Sequence, residues 1–313
     1  MAIFLDDKCV SGLLDMPSCI AALEEMFREK AEGHASNEPR RRVPFQGRRF
    51  MMMFGAMDRK GYLAYKAYGA GKGQDVVLYK GGQGIVAFIR SGNLGQIRTG
   101  AASGVATKYM ARPDASRLGC FGTGHQAETQ IQAIALVRKL TSIHVYGRDA
   151  QKRKAFAEKM TKMIGQEVTP VETPEEAVKG RDIIVTITNS AQPLFDGRLV
   201  EPGTHINAAG GNTRTNREID EITVSRCGMI ATDDVQGARI ECGDLCWPVD
   251  RGTLAWEKVY ELAPIVAGLM PGRRSAEEIT LFESQGIALE DAAAGALIYE
   301  RAMEKKLGVP MPF

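Results

Sequence analysis

Residues 118–127 read LGCFGTGHQA, and this stretch decides the fold that the sequence predicts. Its first four residues have the apolar pattern of a buried strand, and an amphipathic helix pattern follows the glycines. In the GxGxxA motif between them, Gly122 permits a tight turn, Gly124 allows close approach of a pyrophosphate, and Ala127 lets the helix pack on the strand. A helix that begins there presents free N–H groups, which favour an anion. The motif predicts a dinucleotide site whose contacts are Gly122, Thr123, Gly124, His125 and Gln126.

A glycine turn also occurs in unrelated α/β folds, so the surrounding pattern has to support the motif. It does, because strand and helix patterns alternate from residue 117 to about residue 232. Predicted strands lie at 142–146, 182–188, 205–208 and 229–232, and predicted helices at 125–139, at 152–163 and from Thr173 onward. This alternation predicts a Rossmann-type doubly wound parallel sheet, an α/β fold that we assign to a dinucleotide-binding domain at 114–286.

The N-terminal region follows a different pattern. A predicted helix at 17–27 precedes a basic, turn-rich stretch at 39–44, predicted strands at 50–54, 61–68, 76–79 and 84–89, and a helix of small residues at 94–112. This order predicts an α+β domain with an antiparallel or mixed sheet over residues 1–113. The amphipathic helix predicted at 287–307 is expected to return to that domain, so that residues 287–313 complete it.

Composition narrows the classes of function. Of the 313 residues, 44% are hydrophobic and 25% are charged, which is ordinary for a globular protein. The net charge of +2 gives no strong attraction to nucleic acid or to an anionic membrane, and no apolar run is long enough for a membrane helix. The six scattered cysteines fit neither a disulfide framework nor a zinc site, and no signal peptide opens the chain. We therefore expect a cytoplasmic protein without a metal.

The end of the second strand in the predicted dinucleotide fold bears on the choice of cofactor. An NAD site usually has an acid there for the ribose 2′-hydroxyl, whereas an arginine accommodates the 2′-phosphate of NADP. This chain has Gly147 at the expected position, followed by Arg148 and Asp149. Arg148 favours NADP, and Asp149 keeps NAD open.

Five segments together resemble the ornithine cyclodeaminase/μ-crystallin family. They are Arg42-Val43 with Lys66, the QIRTGAAS segment at 96–103, the glycine turn at 119–127, the segment from INAAGGN to REID at 206–220, and the segment from TLFESQG to ED at 280–291. The resemblance spans about residues 40–300. The RTGAAS and GGN…REID segments are specific, whereas the glycine turn alone is not.

The resemblance implies a homodimer whose subunits combine a substrate-binding and dimerisation domain with a Rossmann domain. It also implies hydride exchange between the nicotinamide of NAD or NADP and the Cα of a small α-amino or α-imino acid. The residues that it implies are Arg42 and Arg98 for the substrate carboxylate, Lys66 for proton transfer, and Thr99, Thr188 and Ser284 as further cofactor contacts. Guanidinium groups suit a carboxylate, and a partly buried ammonium beside them should have a lowered pKa that suits acid–base work.

Two positions within the resemblance leave alternatives open. Arg40 and Arg41 adjoin Arg42, so the arginine that binds the carboxylate is one of three. Asn212 stands where ornithine cyclodeaminases have an aspartate. An asparagine can orient a substrate nitrogen, but it cannot act as a carboxylate base or balance the δ-amine of ornithine.

The asparagine therefore favours an NAD(P)H-dependent imino-acid reductase, which in reverse is an L-amino acid dehydrogenase. An ornithine cyclodeaminase that releases ammonia is the first alternative. A μ-crystallin-like binding protein that keeps the cofactor without turnover is the second. We expect substrate specificity to lie in loops near 70–85 and 240–250.

Overall fold

The computed structural model describes residues 2–69, 71 and 73–312, so that Ala70 and Lys72 of the predicted specificity loop lie outside the described residues. The chain divides into two compact units. Unit 1 comprises Met1–Ala101 and Gly286–Phe313, and unit 2 comprises Ala102–Gln285. The functional division at residues 113/114 and 286/287 stays a prediction.

The N-terminal elements begin with a short strand and two helices, continue with five strands and end with a long helix. They are β1 (Ile3–Leu5), α1 (Asp7–Leu13), α2 (Met16–Ala31), β2 (Ala35–Phe45), β3 (Arg48–Met57), β4 (Tyr62–Tyr68), β5 (Gln74–Lys80), β6 (Gly84–Arg90) and α3 (Gly92–Met110).

Strands and helices alternate in the central part of the chain. They are β7 (Arg117–Phe121), α4 (His125–Val137), β8 (Ser142–Tyr146), α5 (Ala150–Ile164), β9 (Thr169–Pro170), β10 (Ile183–Thr186), β11 (His205–Ala208), α6 (Glu221–Arg226), β12 (Cys227–Thr232), α7 (Val235–Glu241), α8 (Gly243–Asp250), β13 (Val259–Glu261), α9 (Leu262–Val266) and β14 (Ile279–Glu283). The chain then forms α10 (Ala288–Lys305) and β15 (Val309–Pro310).

The sheet of unit 2 confirms the predicted Rossmann-type fold. Its strand order is β13-β12-β14-β11-β10-β7-β8-β9, and every pair of neighbours is parallel. The connections reverse direction between β7 and β10, which is the point where ligands bind in doubly wound sheets. The glycine turn follows β7, so the predicted dinucleotide motif lies at this switch point.

The sheet of unit 1 is mixed, in agreement with the sequence. Its order is β15-β1-β6-β5-β4-β3-β2, with β1 parallel to β6 and the other neighbours antiparallel. The prediction of turns at 39–44 was wrong, because these residues belong to β2. An edge strand tolerates Pro39 and Pro44, since an outward N–H is not needed for pairing. The turn lies at Gln46 and Gly47, which both have positive φ.

The structure differs from the sequence analysis at two further places. The helix predicted from Thr173 is only a 3₁₀ turn at Glu175–Ala177, because Gly180 adopts a left-handed conformation soon after it. Strand β14 was missed by the sequence analysis, although it lies between β11 and β12 in the sheet. No helix among the described residues has both the length and the apolar character needed to cross a membrane.

Helix α10 returns to unit 1 as expected and packs on one face of its sheet, against β3 and β4. Its buried side is rich in alanine, which allows the backbones to approach closely. At Gly55 of β3, a Cβ atom would lie 2.6 Å from the backbone nitrogen of Leu289. The first turn of α10 therefore lies directly against β3, the strand next to β4, which carries Lys66.

We predict that Gly55→Ala lowers the free energy of unfolding by about 1–3 kcal/mol, because the added methyl group meets backbone atoms that cannot rotate away. Urea denaturation followed by circular dichroism measures the change. Gly12→Ala is the matched control, since nothing lies within 4 Å of a Cβ at this α1 position. Equal unfolding midpoints for both variants would contradict the close approach of α10.

Candidate functional site

Lys66 lies on the face of the unit 1 sheet that α10 covers. It is paired with Met53 of β3 and Val76 of β5, and all three side chains are buried. Arg40 of β2, the strand that pairs with β3, is also buried. Two cationic side chains, Lys66 and Arg40, therefore lie in an otherwise apolar interior. Buried charges of this kind require anionic partners.

The first turn of α10 supplies those anions. Asp291 Oδ1 accepts from Lys66 Nζ at 2.9 Å and from Arg98 Nε at 3.3 Å, so one oxygen joins β4 to α3. Glu290 Oε2 accepts from Arg98 Nη1 at 2.6 Å. Both carboxylates are completely buried, and both gain from the dipole at the N-terminus of α10.

Two guanidinium groups converge on Gly286, which has a φ of +72°. Arg40 Nη2 donates to the Gly286 carbonyl at 3.0 Å. A Cβ at residue 286 would lie 2.6 Å from Arg98 Nη1. A glycine is therefore required here for its conformation and for the room that it leaves to Arg98.

We name Lys66, Arg98, Arg40, Glu290 and Asp291 the buried charge cluster. It contains three cations and two carboxylates, so it has one positive charge in excess when Lys66 is protonated. Arg98 Nη2 donates no hydrogen bond to any described residue, while its other two nitrogens are held. The cluster can bind an additional carboxylate through that nitrogen.

The pKa values within the cluster suit proton transfer. Burial, together with the charges of Arg98 and Arg40, lowers the pKa of Lys66 to about 8, against the opposing effect of the Asp291 carboxylate. Burial also opposes the charge of Arg98, but the carboxylates of Asp291 and Glu290 outweigh it and raise the pKa of Arg98. Lys66 can therefore gain and lose a proton near neutral pH, whereas Arg98 stays charged.

Arg42, the predicted carboxylate ligand, lies one row further along the same face of the sheet. Its row contains Met51, Tyr68 and Gln74, which are all half-buried. Arg40 is thus the arginine that lies in the buried charge cluster, and Arg42 lies at its margin. The role of Arg42 stays a prediction.

The glycine turn of unit 2 has the geometry that the motif predicts. Gly122 has a φ of +122°, and a Cβ there would lie 2.4 Å from the carbonyl oxygen of Ile187. Ala127 is completely buried where α4 meets the sheet. The turn therefore depends on these small residues for its shape.

The N-terminus of α4 is suited to an anion. Its N-cap is Gly124, which provides no side-chain hydrogen bond, and open space surrounds the position of a Cβ there. His125 is exposed, Thr123 is half-buried, and Gln126 Oε1 is buried without a hydrogen-bond partner among the described residues. Uncapped N–H groups are donors and therefore fit the pyrophosphate of a dinucleotide, whereas the Gln126 amide oxygen can only accept a hydrogen bond and does not bind a phosphate.

The end of β8 carries the residues that bear on the 2′ position. Arg148 is exposed and makes no ion pair or hydrogen bond with any described residue. Asp149 is the N-cap of α5, and its Oδ1 accepts from Lys152 N at 3.0 Å. A Cβ at Gly147 would lie 2.9 Å from the Thr123 side chain, so the glycine leaves room for the turn.

Glu218 organises the loops after β10 and β11. Its Oε1 accepts from the backbone N and the Oγ1 of Thr188, both at 2.6 Å, and its Oε2 accepts from Gly210 N at 2.7 Å. Burial raises the pKa of Glu218 against these hydrogen bonds. Glu218 therefore holds Thr188 in place. In the sequence, Glu218 was noted only as part of the REID segment.

The remaining predicted residues are dispersed over both units. Thr99 lies on α3 in unit 1, where its Oγ1 donates to Gly95 O at 2.7 Å. Ser284 follows β14 in unit 2, and its Oγ donates to Asp233 Oδ2 at 3.4 Å. Asn212 is exposed in the loop after β11. Within the described chain, no group of three or more His, Cys, Asp or Glu side chains could hold a metal ion.

Four further residues of these sites were not predicted from the sequence, namely Asp291, Glu290, Gly286 and Glu218. The available signal was the pair of acids at the start of a helix that is otherwise rich in alanine. Acids at that position usually serve the helix dipole, so the pattern alone did not identify their cationic partners.

Comparisons with known proteins identify the family of this chain. The sequence profile of the ornithine cyclodeaminase/mu-crystallin family matches residues 2–306. Δ1-pyrroline-2-carboxylate reductase of Bacillus cereus is 36% identical over 229 residues, which is 73% of this chain and 70% of that protein.

Two solved structures extend the similarity to nearly the whole chain. The Thermococcus litoralis Δ1-pyrroline-2-carboxylate reductase in complex with NADH and L-proline superposes with a TM-score of 0.94 at 33% identity, covering 99% of this chain and 100% of that one. An archaeal alanine dehydrogenase dimer with bound NAD gives 0.92 at 30% identity, covering 100% and 99%. The chain belongs to the ornithine cyclodeaminase/mu-crystallin family.

Proposed function

We propose that the protein is an NAD(P)H-dependent reductase of a small α-imino acid, which in reverse oxidises the corresponding L-amino acid. The buried charge cluster is the observation that carries this proposal. It combines an arginine nitrogen without a partner among the described residues and a lysine whose pKa is about 8. The relatives named above reduce Δ1-pyrroline-2-carboxylate or dehydrogenate alanine, so cyclic and acyclic imino acids are both candidate substrates.

The substrate carboxylate binds to Arg98 in this proposal. Glu290 and Asp291 fix two nitrogens of the guanidinium, and Nη2 is left for the ligand. The excess positive charge of the buried charge cluster favours an anion that enters it. Arg42 binds the outer part of the substrate, because it lies at the margin of the cluster on the same face of the sheet.

Lys66 transfers the proton. Reduction of a C=N bond adds hydride to the carbon and a proton to the nitrogen, so the site needs an acid beside the nitrogen. The Lys66 ammonium supplies that proton in imine reduction and recovers it from the amine in the reverse reaction. Asn212 orients the substrate nitrogen through its side-chain amide.

The nicotinamide cofactor supplies or accepts the hydride when it is bound. Unit 2 holds its pyrophosphate with the glycine turn and the N-terminus of α4, where no side chain caps the helix. Thr188, fixed by Glu218, contacts the cofactor from the loop after β10, and Thr99 and Ser284 are further proposed contacts.

Lys66→Met tests the reaction. We expect kcat for imine reduction to fall by roughly 10²–10⁴-fold, because the group that delivers the proton is lost. The assay follows NADH and NADPH oxidation with Δ1-pyrroline-2-carboxylate, with iminosuccinate, and with 2-oxo acids plus ammonia or methylamine. Lys8→Met on α1 is the control and should keep the activity, because Lys8 is exposed and lies outside the buried charge cluster.

Three results would contradict the proposal. Full activity of Lys66→Met would remove this lysine from the mechanism. Release of ammonia and proline from ornithine without net oxidation of the cofactor would instead identify an ornithine cyclodeaminase. A protein that binds the cofactor but turns over no imino acid would be a binding protein.

Arg148→Ala tests the choice between the two cofactors. The wild-type guanidinium is free to bind a 2′-phosphate, so we expect the Kd for NADPH to rise by roughly tenfold or more, whereas the Kd for NADH stays within about twofold. Quenching of protein fluorescence or enhancement of nicotinamide fluorescence measures both values. Parallel changes, or no change for NADPH, would show that Arg148 does not contact the 2′ position.

We also infer that the protein forms a homodimer through the outer face of the unit 1 sheet. Phe54, Leu63 and Tyr79 are 37%, 38% and 37% exposed there, and Phe54 stacks on Tyr65. A row of exposed apolar side chains on neighbouring strands is unusual in a monomer. The archaeal alanine dehydrogenase of similar structure is a dimer.

Leu63→Glu tests this dimer. Light scattering coupled to size exclusion should give twice the chain mass of 34.1 kDa for the wild type, and the variant should shift toward the single mass because it buries a charge in the interface. Leu136→Glu on α4 is the control, since Leu136 is 54% exposed outside this face. A monomeric wild type, or a dimeric Leu63→Glu, would contradict the assignment.

A further inference from the structure

Asp291 has no role in the proposed reaction, although its carboxylate contacts two residues that do. One of its oxygens, Oδ1, is shared by Lys66 Nζ and Arg98 Nε. The other, Oδ2, is buried and has no hydrogen-bond partner among the described residues. The carboxylate therefore lies between the proton donor and the carboxylate-binding arginine, and it contacts both through a single atom.

The fold fixes Asp291 in this position. Ala288 N, at the start of α10, donates to Asn37 Oδ1 at 3.0 Å, and Gly55 admits the helix backbone against β3. The N-terminal dipole of α10 stabilises a negative charge in its first turn. The completely buried side chain of Asp291 lies in that first turn.

Asp291 supplies the negative charge that is paired with the Lys66 ammonium. The groups that face the pair from the surrounding elements are Arg98 of α3, Arg40 of β2, Glu290 of α10, Tyr68 of β4 and Cys19 of α2. Glu290 is hydrogen-bonded to Arg98 rather than to Lys66. Asp291 is consequently the one described carboxylate that contacts the Lys66 ammonium directly.

We propose that Asp291 is the positioning residue for proton transfer: it keeps Lys66 in its charged form and holds it at a fixed distance from the arginine that binds the substrate. Lys66 is then ready to protonate an imine at neutral pH. Glu290 has a separate task, which is to orient Arg98. This inference rests on the proposed function for its role in catalysis, whereas the charge state of Lys66 can be tested without turnover.

Asp291→Asn is the decisive variant, because asparagine keeps the size and the acceptor oxygen but removes the charge. We expect the titration midpoint of Lys66 to fall from about 8 by roughly 1–3 pH units. NMR of protein labelled with ¹³C at lysine Cε measures it, with the signal assigned by its loss in Lys66→Met. Far-UV circular dichroism and the urea midpoint check that the variant is folded.

The rates of the two reaction directions provide a second readout. In Asp291→Asn the basic limb of the pH profile for imine reduction should move to lower pH, because Lys66 loses its proton earlier. The acidic limb for amino acid oxidation should move the same way, so that oxidation gains relative to reduction at pH 7. A residue that only stabilised the fold would lower both rates without moving either limb.

Glu290→Gln is the matched control on the neighbouring residue. It removes a carboxylate from Arg98, so it should raise KM for the imino acid while the Lys66 titration stays within a few tenths of a pH unit. An unchanged Lys66 midpoint in Asp291→Asn, or equal shifts in both variants, would overturn the inference. A shifted midpoint in a protein that reduces no imine would support the role of Asp291 in setting the charge and would refute the proposed function.

Discussion

The contact of Asp291 with Lys66 and Arg98 is the interaction on which unit 1 depends. A buried ammonium or guanidinium is tolerated only with an anionic partner, and loss of one partner of such a pair costs about 3–5 kcal/mol. The sheet places Lys66 in its covered face, so a carboxylate has to reach it from the element that covers this face. The alanine-rich side of α10 and the glycine at 55 bring the helix close enough for a short aspartate side chain to do so.

The same interaction connects stability with chemistry. Replacement of a buried ion pair by well-packed apolar residues is often neutral or stabilising, so five buried charges fit a functional role better than a purely structural one. In the proposed reaction, the excess of one positive charge attracts the substrate carboxylate, and the Lys66 pKa of about 8 suits proton transfer near neutral pH. Unit 2 offers backbone geometry instead. Gly122 has a positive φ, helix α4 has no side-chain cap, and the buried Glu218 anchors Thr188 in the neighbouring loop, which are the features that we propose for phosphate binding.

The sequence predicted those features of the structure that depend on residues adjacent in the chain. The strand, turn and helix at 118–137 follow from adjacent residues, and the family resemblance found Lys66 and Arg98. The choice between Arg40 and Arg42 could not be made, because residues two apart on a strand share a face, and only the tertiary structure shows which of them is buried. Asp291 escaped notice since its partner lies 225 residues away in the chain. Strand β14 was missed because a run of five residues that ends in a glutamate gives little periodicity, and its burial on both faces is a tertiary property.

A crystal structure of the protein with NAD⁺ and L-proline or L-alanine would show whether the buried charge cluster binds the carboxylate of an amino acid next to Lys66. We expect a carboxylate oxygen of the ligand within hydrogen-bond distance of Arg98 Nη2 and the ligand nitrogen within reach of Lys66 Nζ, with the Asp291 contacts preserved. A ligand whose carboxylate is bound elsewhere, with Arg98 and Lys66 unchanged and remote from it, would refute the proposed role of the cluster.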